Sequence, residues 1–250
     1  MISMQSTTAD VEWETRVSLA ALYRLVALYG WDDMIFTHIS ARVPGSTPAF
    51  LINPYGHFFE EMTASSLIKV DIEGAILDGG AGPVNRAGFV IHSAIHAARP
   101  DAHFIIHLHT DAGVAVSAQK EGLLPLTQHA LIVLPKLAYH DFEGIALDTD
   151  ERARIVADLG SKSLMLLRNH GTLALGSTPA EAIVGMQYLE RACSQQVLAL
   201  TAGRDGVLMA PRSAQEAVRR QTDGPTAPIW DNAWEGCLRM LDRKLPGYAQ

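Results

Sequence analysis

The sequence predicts a mixed α/β domain followed by a helical tail, and three observations carry that expectation. Apolar runs of strand length, such as Phe104-Ile105-Ile106 and Leu164-Met165-Leu166-Leu167, alternate with segments whose apolar residues recur at helical spacing. Turn residues such as Pro44-Gly45 and Pro54-Tyr55-Gly56 separate them. Residues 209–250 carry helical spacing only, including Ile229 to Leu241.

The elements follow in order. Val17, Leu19, Leu22, Leu25, Val26 and Leu28 mark one face of a helix that Gly30 stops. Ile35 to Val43 and Phe50 to Asn53 read as a hairpin. Leu67 to Ile72 and Ala75 to Leu77 read as short strands, and the Gly-rich stretch 79–83 as a loop. A helix from about Gly88 to Ala98 ends before Pro100, since the residue before a proline leaves the helical region. Phe104 to His109 is a buried strand, and Asp111 to Ala118 a short helix. Leu131 to Leu134 and Leu137 to Tyr139 read as strands. Asp148-Thr149-Asp150 caps a helix that Gly160 ends. Strands Leu164 to Leu167 and Thr172 to Leu175 precede Thr178-Pro179-Ala180-Glu181, a helix start with Thr as N-cap and Pro at the first helical position. Gly206 to Pro211 is the natural break, giving a main domain at 1–205 and a helical extension at 206–250.

Composition excludes several function classes. The chain has 250 residues, 48% of them hydrophobic, enough for a full core without staples. No apolar run is long enough for a membrane span, and the polar N-terminus does not read as a signal peptide. Two cysteines make no disulfide framework, which fits a reducing cytoplasm, and Cys193 reads as a packed thiol. The net charge is −7 and basic residues are scattered, so nucleic acid is not an expected partner.

Ten histidines are the unusual feature. His107 and His109 alternate on a predicted strand, so both imidazoles leave one face. That is a natural chelate for Zn, Mn or Fe, though a hydrogen-bonded pair at a strand end would look the same. His170, in Asn169-His170-Gly171 between two apolar strands, offers a third ligand at a turn. His92 and His96 lie one helical turn apart and share a face. His57, His103 and His140 read as surface or turn residues.

Three motifs in this order resemble the class II aldolase/adducin family: the segment Gly88-Phe89-Val90-Ile91-His92-Ser93-Ala94-Ile95-His96 through Pro100-Asp101, then His107-Leu108-His109, then Arg168-Asn169-His170-Gly171. The likeness runs from roughly Ser18 to Thr201. Tyr139-His140-Asp141 and Ala64-Ser65-Ser66-Leu67 look like the adducin-like bacterial branch. The resemblance implies a three-layer α/β/α domain, with a nine-stranded, mostly antiparallel or mixed central sheet. It implies a homotetramer with active sites at subunit contacts, and a divalent metal, zinc first and Mn or Fe as alternatives, on His107, His109 and His170. The family aldolases carry a Glu, as ligand and acid/base, where this chain has Gly88. Their phosphate-binding serines fall at Arg86 and Ala87, and their Gly-Asn at Thr37-His38.

These departures shape the functional expectation. An Arg at 86 suits a carboxylate, which guanidinium binds through two parallel hydrogen bonds. His38 and Ser40 join Arg86 as candidate substrate-binding residues. His129, near the position of a family tyrosine from the neighbouring subunit, and His92 are candidate acids, with Arg86 beside them as a catalytic candidate. The expected activity is metal-dependent cleavage of a C–C bond, by aldol cleavage or decarboxylation, in a small carboxylate or hydroxy-carbonyl substrate through a metal-stabilised enolate. Without the acidic base, decarboxylation is favoured. A non-heme iron oxygenase and a non-catalytic adducin-like binding module are the alternatives.

Overall fold

The computed structural model describes residues 7–45, 48–78, 83–144, 150–222, 224 and 227–250. Helix α1 (Thr8–Leu28) opens on a capping box, Thr7 accepting from the Asp10 N–H and Asp10 accepting from the Thr7 N–H. Gly30, at φ 67°, ends it. Strands β1 (His38–Arg42), β2 (Ala49–Ile52) and β3 (Ile68–Asp71) form an antiparallel meander. Helix α2 (Arg86–Ala98) leads to β4 (Phe104–Leu108), which is followed by α3 (Asp111–Ser117), α4 (Gln128–Val133) and β5 (Leu137–His140). Helix α5 (Glu151–Leu159), β6 (Leu164–Leu167), β7 (Gly171–Gly176), α6 (Pro179–Ala199), α7 (Arg212–Thr222) and α8 (Ala227–Lys244) complete the order.

The strands form one mixed sheet in the order β3-β2-β1-β4-β7-β6-β5, with β5 parallel to β6 and the other pairs antiparallel. This is the expected α/β class. Among the described residues the sheet has seven strands, two fewer than the resemblance implies. Side-chain alternation divides it into two covered faces. Ile106, Leu108, Leu166 and Ala174 pack with α1, α6 and Leu241 of α8. Ile105, Met165, Leu173 and Leu175 pack with Ile91 and Ile95 of α2 and Ile155 and Leu159 of α5. The result is three layers.

Three expected elements differ. Leu131 to Leu134 is helix and short 3₁₀ turn, not strand, because the Thr127 side chain caps α4 at the Ala130 N–H. With the cap in place, Ala130 and Val133 reach the core at helical spacing. Ala75 to Leu77 contributes one isolated bridge, Val70 to Ile76. β1 also starts late, because Met34 adopts a positive φ of 49° and Phe36 N–H bonds back to Asp33. The loop at 79–82 and the cap residues Asp148 and Thr149 lie outside the described residues.

The tail shares the main core. Leu241 is fully buried, and Trp234, Cys237 and Leu238 pack against the same cluster. Arg24 on α1 donates to the carbonyls of Leu245 and Pro246, while Ala64 and Ser65 donate to those of Tyr248 and Gln250. Among the described residues no helix is long and apolar enough to cross a membrane.

The buried Tyr23 hydroxyl ties α1 to the first hairpin. It accepts from the Ile39 and Asn53 N–H groups, 2.9 and 3.1 Å away, and lies within bonding distance of the Ile39 carbonyl and Asn53 Oδ1. Tyr23→Phe strands both N–H groups. Chemical denaturation should show a loss of about 2–3 kcal/mol, in line with the cost of leaving buried donors unpaired. An unchanged midpoint would show that this hub contributes nothing.

Candidate metal centre

β4 lies in the middle of the sheet, so its side chains are held by neighbours on both sides. On it, His38↔His107 and Ser40↔Ile105 are register partners across β1, which puts His38, Ser40 and His107 on the sheet face covered by α2. His92 and His96 enter the same layer from α2, each at most 3% exposed. His109 sits just past the end of β4. His170 sits in the tight link between β6 and β7, where Asn169 takes a φ of 57° and His170 N–H bonds to Leu167.

The three expected ligands converge. The nitrogens of His107, His109 and His170 all lie within 4.8 Å of one another, and the ring centroids are 4.8 to 4.9 Å apart. Gly171 permits the approach: a Cβ there would lie 2.3 Å from the Leu108 carbonyl oxygen and 3.1 Å from the His109 ring.

The protonation pattern tests whether this set suits a cation. His107 Nδ1 is 3.0 Å from the Thr172 carbonyl, which can only accept, so Nδ1 carries the proton and Nε2 a lone pair. His109 Nδ1 is 3.1 Å from Asp33 Oδ2, which also only accepts, so in the neutral, ligating form of the ring Nε2 carries the lone pair. Those two Nε2 atoms stand 3.0 Å apart. Two facing lone pairs repel unless a proton or a metal cation lies between them, and metal–nitrogen bonds of about 2.0–2.1 Å space ligands at about that separation. The donor set therefore fits a divalent metal. His107 is 1% exposed, whereas His109 and His170 are half-buried, so the ligands leave a side open.

Burial pushes the His107 imidazole well below its ordinary value, and with help from His109 it lowers His170 to about 4. Neutral imidazole is the ligating form. Beneath the centre, Thr110 and Thr172 donate to the buried carboxylate of Glu190, Thr172 at 2.8 Å, which fixes the strand whose carbonyl orients His107. Burial raises the pKa of Glu190 against those two hydrogen bonds.

A second chain of bonds fixes His92. His96 Nδ1 donates to the Ala102 carbonyl at 3.1 Å, so its Nε2 accepts from Ser40 Oγ at 2.8 Å. Ser40 Oγ in turn accepts from His92 Nδ1, leaving the buried His92 Nε2 with a lone pair and no partner. Ser40 is fully buried and spent on these two rings. His38 is 2% exposed, its ring 4.8 Å from that of His92 and 5.2 Å from that of His107.

Other candidate positions lie elsewhere. His129, on α4, contacts Gln195 and Tyr188 of α6, so within one chain it is not brought to the three ligands. Arg86 opens α2, and its side chain lies outside the described residues. His140 is a correction: it is 3% exposed rather than at the surface, held by Asp158 at 2.7 Å and Glu151 at 3.4 Å. Sequence reasoning missed Asp33, Glu190 and these carboxylates, because no spacing links them to the histidines they meet.

Residues 17–197 match the Class II Aldolase and Adducin N-terminal domain. The chain belongs to this family. A Caulobacter vibrioides protein bearing the family-level name aldolase class 2 protein is 65% identical over 99% of this chain and 96% of its own length. Alpha-adducin of Rattus norvegicus is 44% identical over 91% of this chain but 33% of its own length. Among solved structures, an aldolase II superfamily protein from Pseudomonas syringae superposes with a TM-score of 0.92 at 49% identity, covering 96% of each chain. L-fuculose 1-phosphate aldolase from Glaciozyma antarctica superposes with a TM-score of 0.83 at 28% identity, over 98% of this chain and 96% of its own.

Two outcomes follow. Asp33→Asn should weaken metal binding by about 10–100-fold, the usual effect of losing the outer partner of a ligating histidine. Competition with a chromophoric chelator measures it, and wild-type affinity would remove Asp33 from the centre. Burial also holds His96 at about 3 and His92 well below its ordinary 6.5. The unfolded chain therefore binds more protons below about pH 6.5, and the metal-free protein should lose stability as pH falls from there toward 3. Thermal unfolding temperatures that stay level from pH 7 to pH 4 would contradict this.

Proposed function

We propose that this protein is a metal-dependent carbon–carbon lyase acting on a small carboxylate or hydroxy-carbonyl substrate. The observation that carries the reading is the pair of lone pairs on His107 Nε2 and His109 Nε2, with His170 closing the set and one side open. Family membership and the likeness to an L-fuculose 1-phosphate aldolase support the reaction type. A divalent cation, zinc first, would supply Lewis acidity for the negative charge that develops on substrate oxygen as the bond breaks.

The chain's own residues do the rest. Asp33 and the Thr172 carbonyl hold two ligand rings in the ligating tautomer. Gly88 offers no carboxylate to take a proton from carbon, so loss of CO₂, which needs no prior deprotonation at carbon, suits this site. His92, as oriented by Ser40, presents a lone pair rather than a proton at Nε2, which makes it an acceptor in the resting protein. Arg86 is proposed to face a substrate carboxylate. His129 would serve as proton donor only from a neighbouring subunit, which places the proposed active sites at the contacts of a homotetramer.

The likeness to alpha-adducin over most of this chain favours one other reading, a non-catalytic binding module. One experiment separates the two. Protein purified without chelator is analysed for metal, then assayed for CO₂ or aldehyde release from 2-hydroxy acids, 2-oxo acids and sugar phosphates. Turnover should vanish with chelator and return with Zn, Mn or Fe. His170→Ala should cut it by more than about 100-fold, beyond the usual cost of losing an outer partner. Chelator-insensitive turnover would overturn the metal role, and metal-free, inactive protein would favour the binding module.

A further inference from the structure

His38 stands where a side chain on residue 88 would project. A Cβ on Gly88 would lie 1.7 Å from His38 Cδ2 and 2.1 Å from its Nε2, so these two residues exclude any alternative at 88 while the ring is in place. Strand register fixes its backbone, since His38 is the partner of His107 on the neighbouring strand, and the buried ring is packed between those of His92 and His107, with centroids 4.8 and 5.2 Å away. The wall beside the ligand His107 is thus an imidazole carried by β1, not a side chain carried by α2.

That substitution of one wall for another sets the charge of the centre. Three imidazoles contribute no charge to a dication. His38 and His92, on the α2 side, are buried imidazoles and bring no carboxylate to the centre. Asp33 lies behind His109, outside the ligand shell, and Glu190 lies one residue further back, beyond Thr172. The open side of the centre therefore keeps positive charge, and in a partly buried site an uncompensated charge interacts strongly with a counter-charge. An acidic side chain at 88 would cancel that charge and take up the same room.

We propose that His38, by filling the space beside Gly88 with an imidazole and so keeping any acidic side chain out of it, makes the three-histidine centre selective for small bidentate anions of the 2-hydroxy- and 2-oxo-carboxylate class over neutral hydroxy-carbonyl compounds. This rests on the metal-dependent reading above and narrows its substrate class. Position 38 is here a specificity-determining position: it acts through charge and room and need not exchange a proton with substrate.

The test reads binding, not turnover. Cobalt(II)-loaded wild type is titrated with oxalate, glycolate and neutral dihydroxyacetone, following the visible cobalt spectrum, with cobalt content measured separately. The double variant His38→Ala/Gly88→Glu vacates the ring's space and places a carboxylate in it, and His38→Ala/Gly88→Gln is its neutral counterpart. Wild type should bind oxalate and glycolate at least about 10-fold more tightly than dihydroxyacetone. The Glu variant should lose at least about 10-fold in oxalate affinity while the Gln variant stays within about 3-fold of wild type. Cobalt-loaded wild type without anion preference overturns the inference alone, as does a cobalt-loaded Glu variant that binds oxalate like wild type. Wild type that takes up no cobalt overturns the metal-dependent reading with it.

Discussion

Two imidazole nitrogens facing each other across 3.0 Å are the constraint around which this molecule is arranged. Neither His107 nor His109 is free to turn its ring, because the Thr172 carbonyl and Asp33 hold the opposite nitrogens as donors, so the two Nε2 atoms must share a proton or a metal cation. The fold supplies both restraints from distant parts of the chain. Thr172 comes from β7, which pairs with β4 directly, and Asp33 from the turn that delays the start of β1. A site preset in this way loses little ordering when a cation arrives, the same logic by which rigid support shells hold metal sites in place.

The layer between the sheet and α2 is unusual for an interior. It holds His38, Ser40, His92, His96 and His107, all at most 3% exposed. Burying polar groups costs free energy unless they are hydrogen-bonded, and most of this layer is. The chain from Ala102 through His96 and Ser40 to His92 assigns every proton along it. Among the described residues, His38 Nδ1 and His92 Nε2 are buried atoms of these histidines without a hydrogen-bond partner. Unpaired buried groups of this kind are tolerated where a site is being kept ready, and these two lie next to the ligand set.

The rest of the architecture holds β4 still. Packing on one face by α1, α6 and the C-terminal α8, and on the other by α2 and α5, leaves the central strand with apolar neighbours above and below. Arg24 and the 64–65 backbone secure the last residues of the tail. Glu190 pins α6 to both β7 and the start of α3 through two threonine hydroxyls, close to the ligands but out of their reach. The fold superposes on two solved class II aldolase-type structures at TM-scores of 0.92 and 0.83, and a shared scaffold of this kind leaves the chemistry to the residues set on it.

Local pattern alone was enough for the α/β class, the two long capped helices α1 and α6, and the strand and turn that carry His107, His109 and His170, the three histidines that the fold brings together. Alternation puts His107 and His109 on one side of a strand, and Asn169-His170-Gly171 marks a turn, whatever the rest of the chain does. What local pattern could not supply was proximity between residues far apart in sequence. Nothing near Asp33 indicates that it will orient a ring 76 positions later, and nothing near His140 indicates that two carboxylates of α5 will bury it. The four apolar residues from 131 to 134 read equally as strand or helix until the Thr127 cap decides. Gly88 reads in sequence as a missing acid, and only the packing of β1 against α2 shows that the imidazole of His38 has taken its place. Periodicity is a property of neighbours along the chain, whereas charge, tautomer and available room are set by neighbours in space.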